Sequence, residues 1–231
     1  MRDHSRSPFI PHPLLNPAPR MSAFVLLACY FIGAVPFGWI VGKVTRGVDI
    51  RQLGSGNIGF TNALRTLGWG PAVTVLIADI AKGVAAVLLT RAIMREETWA
   101  VWGGLCSVAG HNWSVFLKFG GGRGVATSLG VIIGLAPLVA LCAFLVWLIV
   151  LAASRYVSLA SLVAAVSVPL WMWGFDHPTT LQVISWLLCA FVVVRHVPNI
   201  KRLLTGTEPK WGQKVDLKTA SQTETHEKSE T

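Results

Sequence analysis

Apolar residues fill long stretches of the chain, and polar residues gather in the short connections between them. A helix needs ~20 predominantly apolar residues to cross a bilayer. Stretches at about 22–44, 69–94, 98–117, 125–153, 157–175 and 179–204 fit that requirement. The fourth is too long for one crossing and is interrupted by Gly134 and Pro137. It divides into a short half-helix, 123–135, and a full one, 136–153. The predicted fold is therefore all-α: a polytopic bundle of about seven membrane helices whose two ends lie on opposite sides. Residues 21–211 form the membrane domain. Residues 1–20, rich in Pro, Arg and His, lack the apolar core of a signal peptide and read as a tail or an upstream mis-start before Met21. Residues 212–231 read as a disordered polar tail.

Composition narrows the class further. Of 231 residues, 53% are hydrophobic and 13% charged, against ~25% charged in soluble domains. The mean hydropathy of +0.57 nearly excludes a soluble cytosolic enzyme and excludes disordered, collagenous and disulfide-scaffold classes. Cys29, Cys106, Cys142 and Cys189 lie within apolar stretches and without CxxC spacing, as small buried hydrophobes do. No metal or other cofactor is expected.

The formal charge of +9 comes from 20 Lys and Arg against 11 Asp and Glu. Lys43, Arg46, Arg51, Arg65, Lys118, Arg123, Arg155, Arg195, Lys201, Arg202, Lys210 and Lys214 all fall on one face of the predicted topology. The opposite face has Arg91 and Arg95, offset by Glu96 and Glu97. The basic face is cytoplasmic by the positive-inside rule, which sets the N-terminus outside and the C-terminus in the cytoplasm. A basic rim of this kind removes nucleic acid as a partner.

Three clusters occupy that face. The first contains Gly54, Ser55, Gly56, Asn57, Gly59, Thr61, Asn62 and Arg65. Its G-x-G-x-x-G spacing follows a membrane helix, not a strand, which rules out a dinucleotide fold. Its glycines can form an anion-binding nest, with neutral donors from Ser55, Asn57, Thr61 and Asn62 and a cation from Arg65. A short helix is expected from about Asn57, with an N-terminus that favours an anion. The second cluster, Gly121, Gly122, Arg123, Gly124 and Thr127, opens the half-helix, which is expected to end within the bilayer. The third pairs His196 with Asn199, three residues apart, with Pro198 requiring a local distortion. Asp79 and Lys82 are expected to neutralise each other within the second span. His111 is expected at the interface, and Ser158 and Ser161 at the start of the sixth span.

These clusters, together with Val48-Asp49-Ile50-Arg51, Asp79-Ile80-Ala81-Lys82-Gly83 and Thr205-Gly206-Thr207-Glu208-Pro209-Lys210, resemble the bacterial acyl-phosphate:glycerol-3-phosphate acyltransferases. Gly120 and Arg123 stand where that family usually has lysine, and Val197 and Pro198 where it has Arg-Glu. The resemblance implies a multi-pass protein of the bacterial inner membrane with its active site on the cytoplasmic face. It implies attack by the 1-hydroxyl of glycerol-3-phosphate on a long-chain acyl phosphate, giving lysophosphatidic acid and phosphate. His196, Asn199, Ser55 and Arg65 are the implied catalytic residues. Gly54, Gly56, Asn57, Gly59, Thr61, Asn62, Gly121, Gly122, Arg123, Gly124, Thr127 and Ser161 are the implied substrate-binding ones. The base is His196 or an oxygen of a substrate phosphate. No histidine begins an H-x-x-x-x-D motif, which argues against a thioester donor. The rival reading is a transporter of a small organic phosphate; a structural subunit is a weaker one.

Overall fold

The structure, a computed structural model, describes residues 19–213 and is all-helical over them. Of the predicted tails, 1–20 and 212–231, residues 1–18 and 214–231 lie outside the described residues, and 19–20 belong to the first helix. The helices are α1 (Pro19–Ala34), α2 (Phe37–Arg46), α3 (Phe60–Thr66), α4 (Trp69–Met94), α5 (Glu97–Asn112), α6 (Val125–Leu135), α7 (Pro137–Ser154), α8 (Val157–Gly174), α9 (Thr179–Arg195) and α10 (Val197–Leu204). Short 3-10 turns stand at Ile50–Gln52 and Val115–Leu117.

Four stretches are long and apolar enough to cross a membrane: α1 with α2, α4, α7 and α8. A fifth counts if α9 and α10, bent by 60°, are taken as one. The first expected span breaks between Ala34 and Phe37, where Pro36 cannot donate to a helical ladder. The third expected span stops at Asn112, sixteen residues long, because the chain leaves helical geometry at Trp113. The run 125–153 divides at Ala136, and Pro137 opens α7 at the position where its missing N–H costs nothing.

Glycines set the helix spacing in the first half of the bundle. A side chain at Gly33 of α1 would collide with the backbone carbonyl of Ser107 in α5, and one at Gly110 with that of Tyr30. The same reciprocal contact joins α4 and α6, Gly83 against the carbonyl of Thr127 and Gly130 against that of Ile80. Backbones meet closely here because lipid supplies no hydrophobic drive and dispersion contacts must hold the helices together.

These contacts also fix the depth of each element. Ile80 lies beside Gly130, Val87 beside Gly134, and Arg91 donates to the Gly134 carbonyl. α6 thus runs parallel to α4 and finishes level with its far end. Its N-terminus, which carries the second glycine cluster, is the end held inside the bundle. Asp79 marks this level, ten residues along α4 and about 15 Å from its start at 1.5 Å per residue.

The second half is looser. α7 packs on α8, α8 on α9, and α9 on α5, around a core that includes Val87, Leu105, Val131, Val139, Met172 and Leu188. The outer face of α7 is apolar and uncovered, with Ile149 68% exposed, as a lipid-facing helix is.

Candidate active site

The first glycine loop is built around one side chain. Asn62 is buried, and its amide donates to the carbonyls of Ile50 (3.0 Å), Leu53 (3.0 Å) and Asn57 (2.8 Å). Its oxygen accepts from the Ser55 N–H at 2.8 Å. Asn62 is therefore not a spare donor for phosphate, contrary to expectation: its capacity is filled by the loop it organises. The Gly56 N–H bonds Leu53 and the Gly59 N–H bonds the Asn57 side chain, so much of the expected nest faces inward. α3 begins at Phe60, three residues later than expected, because Gly59 caps it. The hydroxyls of Ser55 and Thr61 and the side chain of Asn57 are left facing a cavity.

The second glycine loop is braced from outside. The Arg195 guanidinium donates to the carbonyls of Gly122 (2.8 Å) and Gly121 (2.9 Å). The Gly122 N–H bonds the His111 carbonyl at 3.0 Å. A side chain at Gly122 would fall on His111 Nε2, and Gly124 holds the left-handed φ of +78° that turns the chain into α6. Sequence reading placed His111 at the interface; it is instead buried beside the Asp79–Lys82 pair. Lys82 Nζ lies 2.8 Å from Asp79 Oδ1 and 2.7 Å from His111 Nδ1. An ammonium can only donate, so His111 Nδ1 accepts and its proton sits on Nε2, toward the glycine loop. Asp79 is thereby neutralised as expected, within a network of three groups rather than two.

The third cluster turns on the α9–α10 hinge. His196 caps α9, and its Nδ1 donates to the Val192 carbonyl at 2.8 Å, which leaves Nε2 as the unprotonated nitrogen of the neutral ring. The distortion expected at Pro198 is present as the 60° bend at His196, which leaves the proline in the first turn of α10, where its missing N–H costs nothing. Asn199 donates to Glu208 Oε1 at 2.7 Å, and Arg202 Nε to Glu208 Oε2 at 2.7 Å. Burial works against the Glu208 charge, but the side chains of Asn199, Ser158 and Arg202 beside it outweigh it and hold its pKa below the ordinary value.

A cavity of about 920 Å³ connects these parts. Ser55, Asn57, Gly59, Thr61, Asn62, Arg123, Gly124, Ser161 and His196 line it; Gly54, Gly56, Arg65, Gly121, Gly122, Thr127 and Asn199 do not. Its other end is apolar, formed by Leu129 and Ile133 of α6, Phe144 and Leu148 of α7, and Ala165 and Val168 of α8. Ser161 is already committed, donating to the Val157 carbonyl at 2.8 Å and accepting from Trp147 Nε1 at 3.2 Å. Ser158, beside Glu208, makes no hydrogen bond of ordinary geometry and also lines the cavity.

Charge at the mouth is unbalanced. Arg123 makes no ion pair or hydrogen bond with any described residue. Burial, and after it the nearby guanidiniums of Arg202, Arg65 and Arg195, bring its pKa down to about 10 despite the pull of Glu208. A cluster of cations whose nearest acid is already engaged stabilises an arriving anion. Buried polar atoms of Asn112, Thr127, Ser158 and Asn199 also lack protein partners, which is costly until water or ligand satisfies them.

Sequence reading missed two contributors. Arg195 read as part of a basic anchor, and only its folded position shows the two carbonyls it holds. Trp211 lines the cavity from beyond the predicted spans and carried no motif.

Fold and cavity define an integral membrane protein built around a chamber that is cationic at one end and apolar along the rest. The chain matches the glycerol-3-phosphate acyltransferase family over residues 23–206 and belongs to it. It is 44% identical over 193 residues to a glycerol-3-phosphate acyltransferase of Desulforamulus reducens, covering 84% of this chain and 96% of that one. It is 46% identical over 194 residues to glycerol-3-phosphate acyltransferase 2 of Moorella thermoacetica, covering 84% of this chain and 100% of the relative. Crystal structures of PlsY (YgiH), an integral membrane glycerol 3-phosphate acyltransferase, share the fold at 39% identity, covering 83% of this chain and 96% of theirs. Their glycerol 3-phosphate and lysophosphatidic acid forms superpose with TM-scores of 0.79 and 0.77.

Proposed function

We propose that the chain acylates the 1-hydroxyl of glycerol-3-phosphate, using a long-chain acyl phosphate and releasing inorganic phosphate and lysophosphatidic acid. This is the first step of phospholipid synthesis. The observation that carries the reading is the single cavity that joins a cationic, donor-rich mouth to an apolar channel between α6, α7 and α8. An acyl phosphate is already activated, so the site's task is to align two phosphorylated substrates and neutralise their charge.

Arg123 and the hydroxyl and amide groups of Ser55, Asn57 and Thr61 take phosphate, and Ser158 adds a donor deeper in. Asn62, Gly54, Gly56 and Gly59 shape the first loop, and Gly121, Gly122, Gly124 and Thr127 the second. Arg65 adds positive potential, and Ser161 holds Trp147 in the channel. The hydroxyl oxygen bonds the acyl carbonyl carbon, and the tetrahedral adduct collapses with loss of phosphate. A phosphate oxygen takes the proton, while His196 and, through Glu208, Asn199 orient the groups.

The membrane in question is the bacterial inner membrane. The twelve Lys and Arg that a topology of about seven spans puts on one face support an N-terminus outside and an active site on the cytoplasmic side.

The test is purified protein in detergent with acyl phosphate and glycerol-3-phosphate, read by lysophosphatidic acid formed. Product from acyl phosphate and none from acyl-CoA is expected. Product from the thioester alone would overturn the donor, and glycerol-3-phosphate uptake into liposomes without product would make the protein a transporter. His196→Ala should raise KM more than it lowers kcat; a kcat loss of several orders of magnitude with binding intact would make His196 the base.

A further inference from the structure

After α10 the chain reverses at Gly206, whose φ is +69°, and runs back across the cavity mouth. It is tied down on both rims. On one side the Arg65 guanidinium donates to the Pro209 carbonyl at 3.3 Å. On the other, the Trp211 N–H donates to the Arg155 carbonyl at 2.7 Å, and Arg155 returns a bond to the Trp211 carbonyl at 3.4 Å. Lys210 Nζ sits 5.6 Å from the centre of the Tyr156 ring. Between these anchors the Trp211 indole rests 6.1 Å from Phe60 and 6.3 Å from Trp69, centre to centre, and forms part of the cavity wall. Phe60 opens α3 and Trp69 opens α4, so the indole bridges the first glycine loop and the α7–α8 corner. The family match ends at residue 206, five residues before Trp211.

We propose that Trp211 determines whether the acyl group goes to glycerol-3-phosphate or to water. The inference rests on the acyl phosphate reading above. Water attacking the same carbonyl carbon breaks the same carbon–oxygen bond to phosphate, and gives a free fatty acid and inorganic phosphate. Nothing in the chemistry of a mixed anhydride favours the substrate hydroxyl over bulk water; alignment of the bound alcohol and exclusion of water do. The mouth needs a cover there, because Ser55 beside the cationic groups is exposed. An indole between two aromatic rings supplies a large apolar face with few degrees of freedom. Its seat is held through the backbone, by the Arg155 carbonyl at Trp211 and by Arg65 at Pro209.

The experiment measures how acyl phosphate partitions between lysophosphatidic acid and free fatty acid at saturating glycerol-3-phosphate, after subtracting spontaneous hydrolysis. Trp211→Ala should raise the fatty-acid share about tenfold, whereas Trp211→Phe, which keeps an aromatic cover, should stay within about twofold of the parent. The ratio is taken per donor consumed, so it does not depend on how much of a variant is folded. If Trp211→Ala gives no turnover, Trp69→Ala removes one wall of the seat and should raise the ratio about threefold. An unchanged ratio in the variant that turns over, or an equal rise in Trp211→Phe, overturns the proposal. A parent enzyme that makes no lysophosphatidic acid from acyl phosphate overturns the donor reading instead, and does so independently of any variant.

Discussion

The two glycine-rich loops look alike in composition and are stabilised in opposite ways. The first, residues 54–62, is organised from within: a single buried asparagine collects three carbonyls and one N–H of its own neighbourhood. The second, residues 118–124, has few bonds of its own across the glycines and is held by Arg195 from α9 and by His111 from α5. A self-contained loop can be placed on a rim, where Ser55 and Gly56 are exposed. A loop without internal ties must be held in the bundle, and its reward is a guanidinium, Arg123, left free for a ligand.

The sharpest break of this contrast is Asn62→Ala. It orphans three carbonyls and an amide at ~1 kcal/mol or more each, about 3–5 kcal/mol together. Activity should fall on the order of a thousandfold, with a clearly lower melting temperature in detergent. Arg123→Ala removes a charge-assisted phosphate contact without touching the fold. The expected loss in kcat/KM for glycerol-3-phosphate is about a hundredfold, with melting unchanged, and Arg123→Lys should recover most of it. Arg195→Ala loosens the second loop alone and should raise KM about tenfold; Arg195→Lys should not restore it, because a point ammonium cannot brace two successive carbonyls as a planar fork does.

The smallest effect is a dependence on pH confined to the approach to the first loop. Bonds from Arg51 above all, with a further one from Trp39, hold the Asp49 carboxyl at about 2. A carboxyl depressed on folding contributes stability above its ordinary value near 4, and loses it as pH falls from there through about 2. Because the Asp49–Arg51 pair is close to solvent, the change should be under about 1 kcal/mol. Melting at pH 6 and pH 3 in parent and Asp49→Asn protein checks it: the variant should show the smaller difference.

Much of the architecture was legible because it is written locally. A proline after an overlong apolar run divides α6 from α7 wherever the chain folds, and glycine runs with a cation mark both loops. Other features depend on residues distant in sequence. The role of His111 comes from Lys82, twenty-nine residues away on another helix, and that of Arg195 from carbonyls more than seventy residues earlier. Ser158 and Ser161 look equivalent in sequence; only the position of Trp147 decides which hydroxyl it engages. Asn62 misled for a related reason, since a polar side chain in a glycine loop can serve a ligand or the loop itself, and composition does not distinguish the two.

The shortness of the α5–α6 hairpin has a wider consequence. Because α5 ends and α6 begins level with Asp79, the cationic mouth lies in a recess about 15 Å along α4, while the apolar channel runs along α7, whose outer face is uncovered. On the proposed reading the two substrates arrive by perpendicular routes. The small hydrophilic one descends from the aqueous side, and the greasy one slides in laterally with its head already at the right height. The protein then works as a phase-transfer catalyst: it carries a sugar phosphate down to the plane of an acyl carbonyl instead of lifting a lipid into water.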